Sequence, residues 1–465
     1  MLRKVLNSSW LYYALAGVLA VAALWSQIEI TYPPRPVGEP SEIRALRDRD
    51  DLNLILIVVD TLRADHLGSY GYERDTSPLM DDLAQTGVRF AHVRAQSSWT
   101  KSSMASLWTG NYPFAINVRD FEDALKESVV LPAEVLREAG FRTGGFYRNG
   151  WVAPNFGFAQ GFEFYLVPVP NLGPDRLQRK SPSAAAIQGS DFDATEVAVE
   201  FVRSHAKERF FLYLHYMDVH QYQYERDSAL FGVQYRDAYD NAIHWTDRNI
   251  GLLISDLIDL DLLEKTIIVI ASDHGEEFFE HGFEGHAKTL YRETTETPLI
   301  LSLPFALAEP LVVETPVENI DIWPTLFDLL GIEGPESQGR SLLPLIEAAA
   351  AGKPGPGDAD RSTMSQIDKS WGHRELPTND LVSVSDGDHR AMFRVKTPEK
   401  GELYDLRSDP DEQVDLAPEQ PERLAELVEH ANEILDQHVG DMSEKIDLDD
   451  VTLEQLRALG YAVKP

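Results

Sequence analysis

Four side chains in this sequence have the types and settings from which ester chemistry could be built. Asp60 closes the unbroken apolar run Leu52 to Val59, and Asp273 and His274 follow a second run, Thr266 to Ser272. Apolar runs of this length read as central parallel strands buried on both faces. Ligands gather beyond the carboxyl ends of parallel strands, which places both carboxylates at one sheet edge. Two neighbouring buried anions need a cation to offset their repulsion, and the imidazole beside them gives a mixed oxygen and nitrogen donor set. Such a set suits one Mn²⁺, Zn²⁺ or Mg²⁺ ion better than Ca²⁺, because imidazole is softer than a carboxylate oxygen. Thr100 adds a hydroxyl just ahead of a helical stretch starting near Lys101. A metal ion and a helix N-terminus would both favour its alkoxide. Singly, Asp60, Asp273 or Thr100 also reads as a helix N-cap; together with His274 they point to a site. The sequence contains no cysteine, which excludes thiolate ligands, disulfides and cysteine nucleophiles.

The elements that must hold these residues alternate in type. Further strand-like runs lie at Phe210 to Tyr216 and Leu299 to Leu303, with helical stretches at Asp191 to Ser204 and Tyr235 to Leu257. Alternation of this kind predicts an α/β layered fold with a mainly parallel sheet. Ahead of it, Tyr32 to Pro40 holds four prolines and reads as part of an extended stalk over residues 31–50. Residues 51–347 form the expected catalytic domain, and the low-complexity stretch 348–362 a linker. Residues 363–465 read as a small α+β subdomain, with a hairpin at Leu381 to Val395 and an amphipathic helix at Pro421 to Val439. His215, inside a strand-like run, reads as a core residue.

Charge and composition narrow the function further. Lys+Arg 42 against Asp+Glu 76 leaves a net charge of −34, which excludes a general nucleic-acid binder. Hydrophobic residues at 43% and aromatics at 10% suffice for a core, so the acidity does not imply disorder. Arg3 and Lys4 precede an apolar run from Trp10 to Trp25. This pattern predicts an uncleaved signal anchor within residues 1–30, a membrane-anchoring helix with the catalytic domain periplasmic or extracellular. A cleaved signal peptide would export the remainder equally.

Val58 to Gly68, Ser98 to Gly110, Tyr216 to His220 and Ser272 to Glu276 together resemble the sulfatase family of the alkaline phosphatase superfamily. The resemblance continues through Gly285 to Tyr291, Thr297 to Ile300, Asn319 to Leu326, Glu402 to Leu406 with Asp409-Pro410, and Leu456 to Tyr461. It implies an alkaline-phosphatase-like three-layer sandwich with a small C-terminal α+β subdomain. It also implies hydrolysis of a sulfuric or phosphoric ester, or phosphotransfer, on an anionic small molecule, lipid or glycan. Carried onto this chain, it gives Asp60, Thr100, Asp273 and His274 as ligands of one divalent metal. His220 and Lys288 become catalytic residues, and Lys101 and His286 substrate-binding ones. Thr100 sits where the family matures a cysteine or serine to formylglycine. The family's Cys/Ser-x-Pro-x-Arg is replaced by Thr100-Lys101-Ser102-Ser103-Met104, while Ala105-Ser106-Leu107-Trp108-Thr109-Gly110 keeps its tail. Threonine cannot become formylglycine, so none is expected. In lipoteichoic-acid synthases and nucleotide phosphodiesterases, an unmodified threonine at this position is the nucleophile. Thr61 replaces the second aspartate of many sulfatases, leaving fewer carboxylates for the metal. Two alternatives stand beside an ester hydrolase acting through Thr100: a sulfatase proper for sulfated glycans or aryl sulfates, and an inactive anion- or glycan-binding surface protein.

Overall fold

Along strand β1 (Asn53–Val59) every side chain is buried, as an apolar run without alternation requires. Ile55, Ile57 and Val59 join one hydrophobic cluster, and Leu54, Leu56 and Val58 join another. The strand therefore separates two cores, and each such side chain contributes roughly 1.5–3 kcal/mol on burial. The computed structural model describes residues 35–168, 176–178, 189–356, 362–368, 379–437 and 439–448.

The remaining strands of the central sheet are β2 (Val88–Arg94), β3 (Arg142–Tyr147), β4 (Phe164–Leu166), β5 (Phe210–Tyr216), β6 (Thr266–Ala271), β7 (Glu296–Ser302) and β8 (Leu311–Val313). They lie in the order β8-β2-β7-β6-β1-β5-β3-β4, and Val317–Glu318 also pairs with β2. From β6 to β4 every pairing is parallel; β7 runs antiparallel to both of its neighbours. Helices α2 (Asp191–His205) and α3 (Tyr235–Asp259) cover one face, while α1 (Thr100–Thr109) and α4 (Ile322–Leu330) cover the other. This is the three-layer sandwich expected from the alternation of elements. Val58 pairs with Ala271, which sets the carboxyl ends of β1 and β6 side by side.

The C-terminal part is a four-stranded antiparallel sheet of β9 (Thr363–Asp368), β10 (Asp380–Ser385), β11 (His389–Arg394) and β12 (Thr397–Asp405), covered by α5 (Pro421–Leu435). Its core includes Tyr112 and Ile320 from the larger part, and Gln366 donates its N–H to Gln96 O at 2.8 Å. Sheet and sandwich thus form one compact unit from Pro36 onward. Helix Leu343–Ala350 runs into the expected linker, and residues 357–361 lie outside the described residues.

The expected stalk also needs correction from Pro36 to Asp50. Val37–Gly38 pairs with Ala306–Leu307, two short 3₁₀ turns follow, and Ile43 and Leu46 are buried. Two apolar side chains three residues apart dock this segment on the body, so its prolines shape turns rather than a free extension. Residues 1–34, including Trp10 to Trp25, lie outside the described residues. Among those described, no helix is long and apolar enough to cross a membrane.

Candidate active site

Asp60 continues the β1 ladder one step past the strand, its N–H donating to Tyr216 O at 3.0 Å. Its Oδ2 accepts from Asn149 Nδ2 at 2.6 Å and from His215 Nε2 at 3.1 Å. Because Nε2 carries the proton, His215 Nδ1 accepts from the Tyr213 hydroxyl at 2.6 Å. Asp60 Oδ1 is buried with no hydrogen-bond partner among the described residues. Asp273, at the tip of β6, accepts at Oδ1 from the N–H groups of Thr61 (3.2 Å) and His274 (2.9 Å); its Oδ2 is likewise buried without a hydrogen bond. His274 Nδ1 donates to Gly275 O at 3.0 Å. This turns the Nε2 lone pair toward Thr100 Oγ1, 3.2 Å away. Asn149 Nδ2 also approaches Thr100 Oγ1, at 3.3 Å.

Ligand atoms of Asp60, Asp273 and His274 lie within 4.8 Å of one another. These three residues and Thr100 are fully buried. Burial and the neighbouring charge of Asp60 push Asp273 up to about 7. Burial acts the same way on Asp60, but His220, the His215 hydrogen bond and His274 hold it below the usual carboxylate range. Two orphaned carboxylate oxygens, an imidazole lone pair and a hydroxyl fit a divalent cation, which would satisfy all of them. Thr61 bends the chain to make this possible. Its φ is 63°, a costly left-handed conformation for a β-branched residue. Hydrogen bonds from Thr61 Oγ1 to Asp60 O (2.7 Å) and from Tyr239 OH to Thr61 O (2.6 Å) hold the bend.

Four further groups border the cluster. His220 is buried with both ring nitrogens unpartnered among the described residues. Its ring lies 5.0 Å from that of His286, which lies 4.5 Å from that of His274. Burial lowers the pKa of all three histidines, that of His286 to about 4. Glu276 Oε2 lies 3.1 Å from His286 Nδ1. Lys288 is exposed at the rim, its ammonium donating to Glu284 O at 2.6 Å.

Lys101 does not join them, which corrects its expected role in substrate binding. Its buried ammonium donates to Phe121 O at 2.7 Å and sits over the Phe156 ring at 3.9 Å. One residue is about 100° of helix rotation, so Lys101 cannot share the direction of Thr100.

Asn149, His215 and Glu276 were not picked out as site residues. Asn149 follows the end of β3, at the same sheet edge as Asp60 and Asp273, and that position was its available signal. The preceding Arg148 is buried, with Nη1 bonded to Asp191 Oδ1 (3.0 Å) and to Asp218 Oδ1. Asp218 Oδ2 accepts from Trp245 Nε1 at 2.9 Å. One guanidinium therefore ties the Asn149 segment to the His220 segment. Ligand atoms of Glu277, His281 and Glu293 also lie within 4.8 Å of one another. There Glu277 already accepts from the His281 and Phe283 N–H groups and from Thr289 Oγ1, so its carboxylate is occupied by protein donors.

The family model for sulfatases matches residues 52–332, a span holding every residue of the cluster. The chain belongs to the sulfatase family. Residues 279–439 match the model for the C-terminal part of N-sulphoglucosamine sulphohydrolase. An N-acetylgalactosamine-6-O-sulfatase of Bacteroides thetaiotaomicron is 25% identical, over 81% of this chain and 92% of its own length. Arylsulfatase K of Xenopus laevis is 29% identical over 41% of this chain; that match spans about a third of the relative, 35%. Among solved structures, a 2-O GAG sulfatase superposes with a TM-score of 0.66 at 20% identity, covering 83% of this chain and 93% of its own. These likenesses place the chain in a family of ester hydrolases and agree with its alkaline-phosphatase-like α/β fold.

Proposed function

We propose that this sulfatase-family chain is a metal-dependent hydrolase of anionic esters in which Thr100 is the attacking group. The observation that carries the proposal is the convergence of the Thr100 hydroxyl, two carboxylate oxygens that accept no hydrogen bond and the His274 lone pair on one buried point. Asp60, Asp273, His274 and Thr100 would hold one divalent cation, which when bound supplies Lewis acidity that lowers the hydroxyl pKa. Mn²⁺, Zn²⁺ or Mg²⁺ suits this donor set better than Ca²⁺.

Asn149 holds the Thr100 oxygen against Asp60, restricting it to one direction of attack. Thr100 gives up its hydroxyl proton to water as Oγ1 bonds to the central sulfur or phosphorus atom; the bond to the ester oxygen breaks with its electron pair, and the departing alkoxide takes a proton from water to leave as the alcohol. An N–H of His220 hydrogen-bonds that oxygen as charge develops. His286 and Lys288 face the anionic group from the rim. Water attack on the covalent threonine ester then restores the enzyme.

Sulfated glycans are the substrate class favoured by the names of the relatives. Thr100 itself favours a second reading. A phosphothreonine is resolved by water attacking phosphorus, whereas a sulfated threonine lacks the elimination that a formylglycine hydrate provides. The apolar run Trp10 to Trp25 behind Arg3 and Lys4 supports a membrane-anchored enzyme working outside the cytoplasm. Turnover of nitrophenyl sulfate, phosphate and phosphodiester with added Mn²⁺, Zn²⁺, Mg²⁺ or Ca²⁺ separates the readings. Sulfate-only turnover removes the phosphoric reading, and a protein that neither binds metal nor turns over any ester removes both.

A further inference from the structure

A cavity of about 240 Å³ lies between the end of β2 and the C-terminal sheet, lined among others by His92, Arg94, Arg292, Arg407, Glu296 and Glu412. Arg94 is its unusual member. The guanidinium makes one hydrogen bond, from Nη1 to Thr295 Oγ1 at 3.1 Å, and no ion pair among the described residues. Arg390 donates to the same Thr295 oxygen at 3.0 Å, so two guanidinium groups crowd one hydroxyl. The nearby carboxylates are engaged elsewhere. Glu412 pairs with Arg390 at 2.6 Å, and Glu296 with His92 at 3.1 Å and Arg292 at 3.3 Å. Burial and the charge of Arg390 lower the Arg94 pKa to about 10, against the opposing charges of Glu296 and Glu412. Of the arginines on the cavity wall, Arg292 also pairs with Asp411 at 2.7 Å and Arg407 with Asp388 at 2.7 Å, so Arg94 is the one without an ion pair among the described residues.

We propose that this cavity is an accessory oxyanion site, in which the free fork of Arg94 takes a sulfate or phosphate group with Arg292 and Arg407 beside it. Guanidinium presents paired N–H groups in a plane that matches two oxygens of a tetrahedral anion, and a half-buried guanidinium without an ion pair gains from such a partner. β2 runs parallel to β6, since both are antiparallel to β7. Arg94 therefore ends its strand at the same sheet edge as Asp273, two strand spacings away, or roughly 10 Å. The group bound there is either a free anion or a second anionic substituent of the substrate; the latter source rests on the hydrolase reading above.

Calorimetric titration of the metal-loaded full-length protein with inorganic sulfate and with inorganic phosphate tests the site. Two classes of binding are expected, one weakened at least ten-fold by Asp273→Asn and the other by Arg94→Gln. Because Arg94→Gln relieves a like-charge contact, it is expected to melt no lower than the parent. Arg407→Gln, an exposed change, should weaken the second class on its own. A wild-type titration with only the class sensitive to Asp273→Asn, or a second class indifferent to Arg94→Gln and Arg407→Gln, would overturn the proposal. Kinetics separate the sources. For a second substituent, Arg94→Gln raises KM for a doubly charged saccharide ten-fold and leaves the singly charged one unchanged. For a free anion, neither KM moves while the anion-binding loss remains.

Discussion

The hydroxyl of Thr100 has two neighbours that decide its chemistry, His274 Nε2 at 3.2 Å and Asn149 Nδ2 at 3.3 Å. Thr100→Ala removes the attacking oxygen and little volume, so turnover is expected to fall on the order of 10³-fold or more with an unchanged melting temperature. Single-turnover kinetics beside a thermal melt check both halves. Asn149 bridges Thr100 to Asp60, and Asn149→Ala is expected to lower kcat and metal affinity about 10–100-fold each, as loss of a ligand-orienting partner does. Metal titration followed by ester turnover measures the two effects separately. Asp60, Asp273 and His274 were legible in the sequence because strand-terminal acids follow uninterrupted apolar runs. Lys101 was not, because every residue of α1 is buried. A helix apolar and polar residues alike enter from all sides offers no stripe to say which face meets the site. His215 is buried within β5, as a strand-like run implies, and it also donates to the carboxylate of Asp60.

At the level of elements, the parallel strands β1, β5 and β3 end beside one another and hand Asp60, His220 and Asn149 to one edge. Arg148 locks two of the connections that leave this edge. Arg148→Met leaves Asp191 and Asp218 without their shared cation, and a loss of about 3–5 kcal/mol is expected, read from the urea midpoint. The short hairpin in which Glu277–Phe278 pairs with Glu284–Gly285 is held differently. Burial opposes the charge on His281, yet its hydrogen bonds to Glu293 and to the Glu412 carbonyl raise the pKa to about 9. Raised above its unfolded value of about 6.5, it contributes stability that is complete below that pH and lost as pH rises through about 9. Melting temperatures of the wild type should fall across this window more steeply than those of His281→Gln. Strand runs and the long helices were readable from composition and period. The docking of Pro36 to Asp50 was not, because prolines suit a turn packed on a surface as well as a free extension, and only Ile43 and Leu46 distinguish the two.

For the whole molecule, the charge of −34 opposes any anionic substrate until it reaches the buried cluster. Salt screens this repulsion over a Debye length of about 8 Å at physiological strength. Consequently kcat/KM for an anionic ester is expected to rise between about 20 and 200 mM KCl and then level, while a neutral competitor's affinity stays flat. The two cores that flank the sheet fix the edge on which the whole site depends, and that architecture followed from the alternation of elements. The most direct measurement is the anomalous scattering of Mn²⁺ in crystals of the metal-loaded protein grown with inorganic phosphate. The expected result is one strong peak bonded to Asp60, Asp273, His274 and the Thr100 oxygen, with phosphate beside that oxygen. Manganese at the Glu277, His281 and Glu293 cluster with none at Asp60 would contradict it.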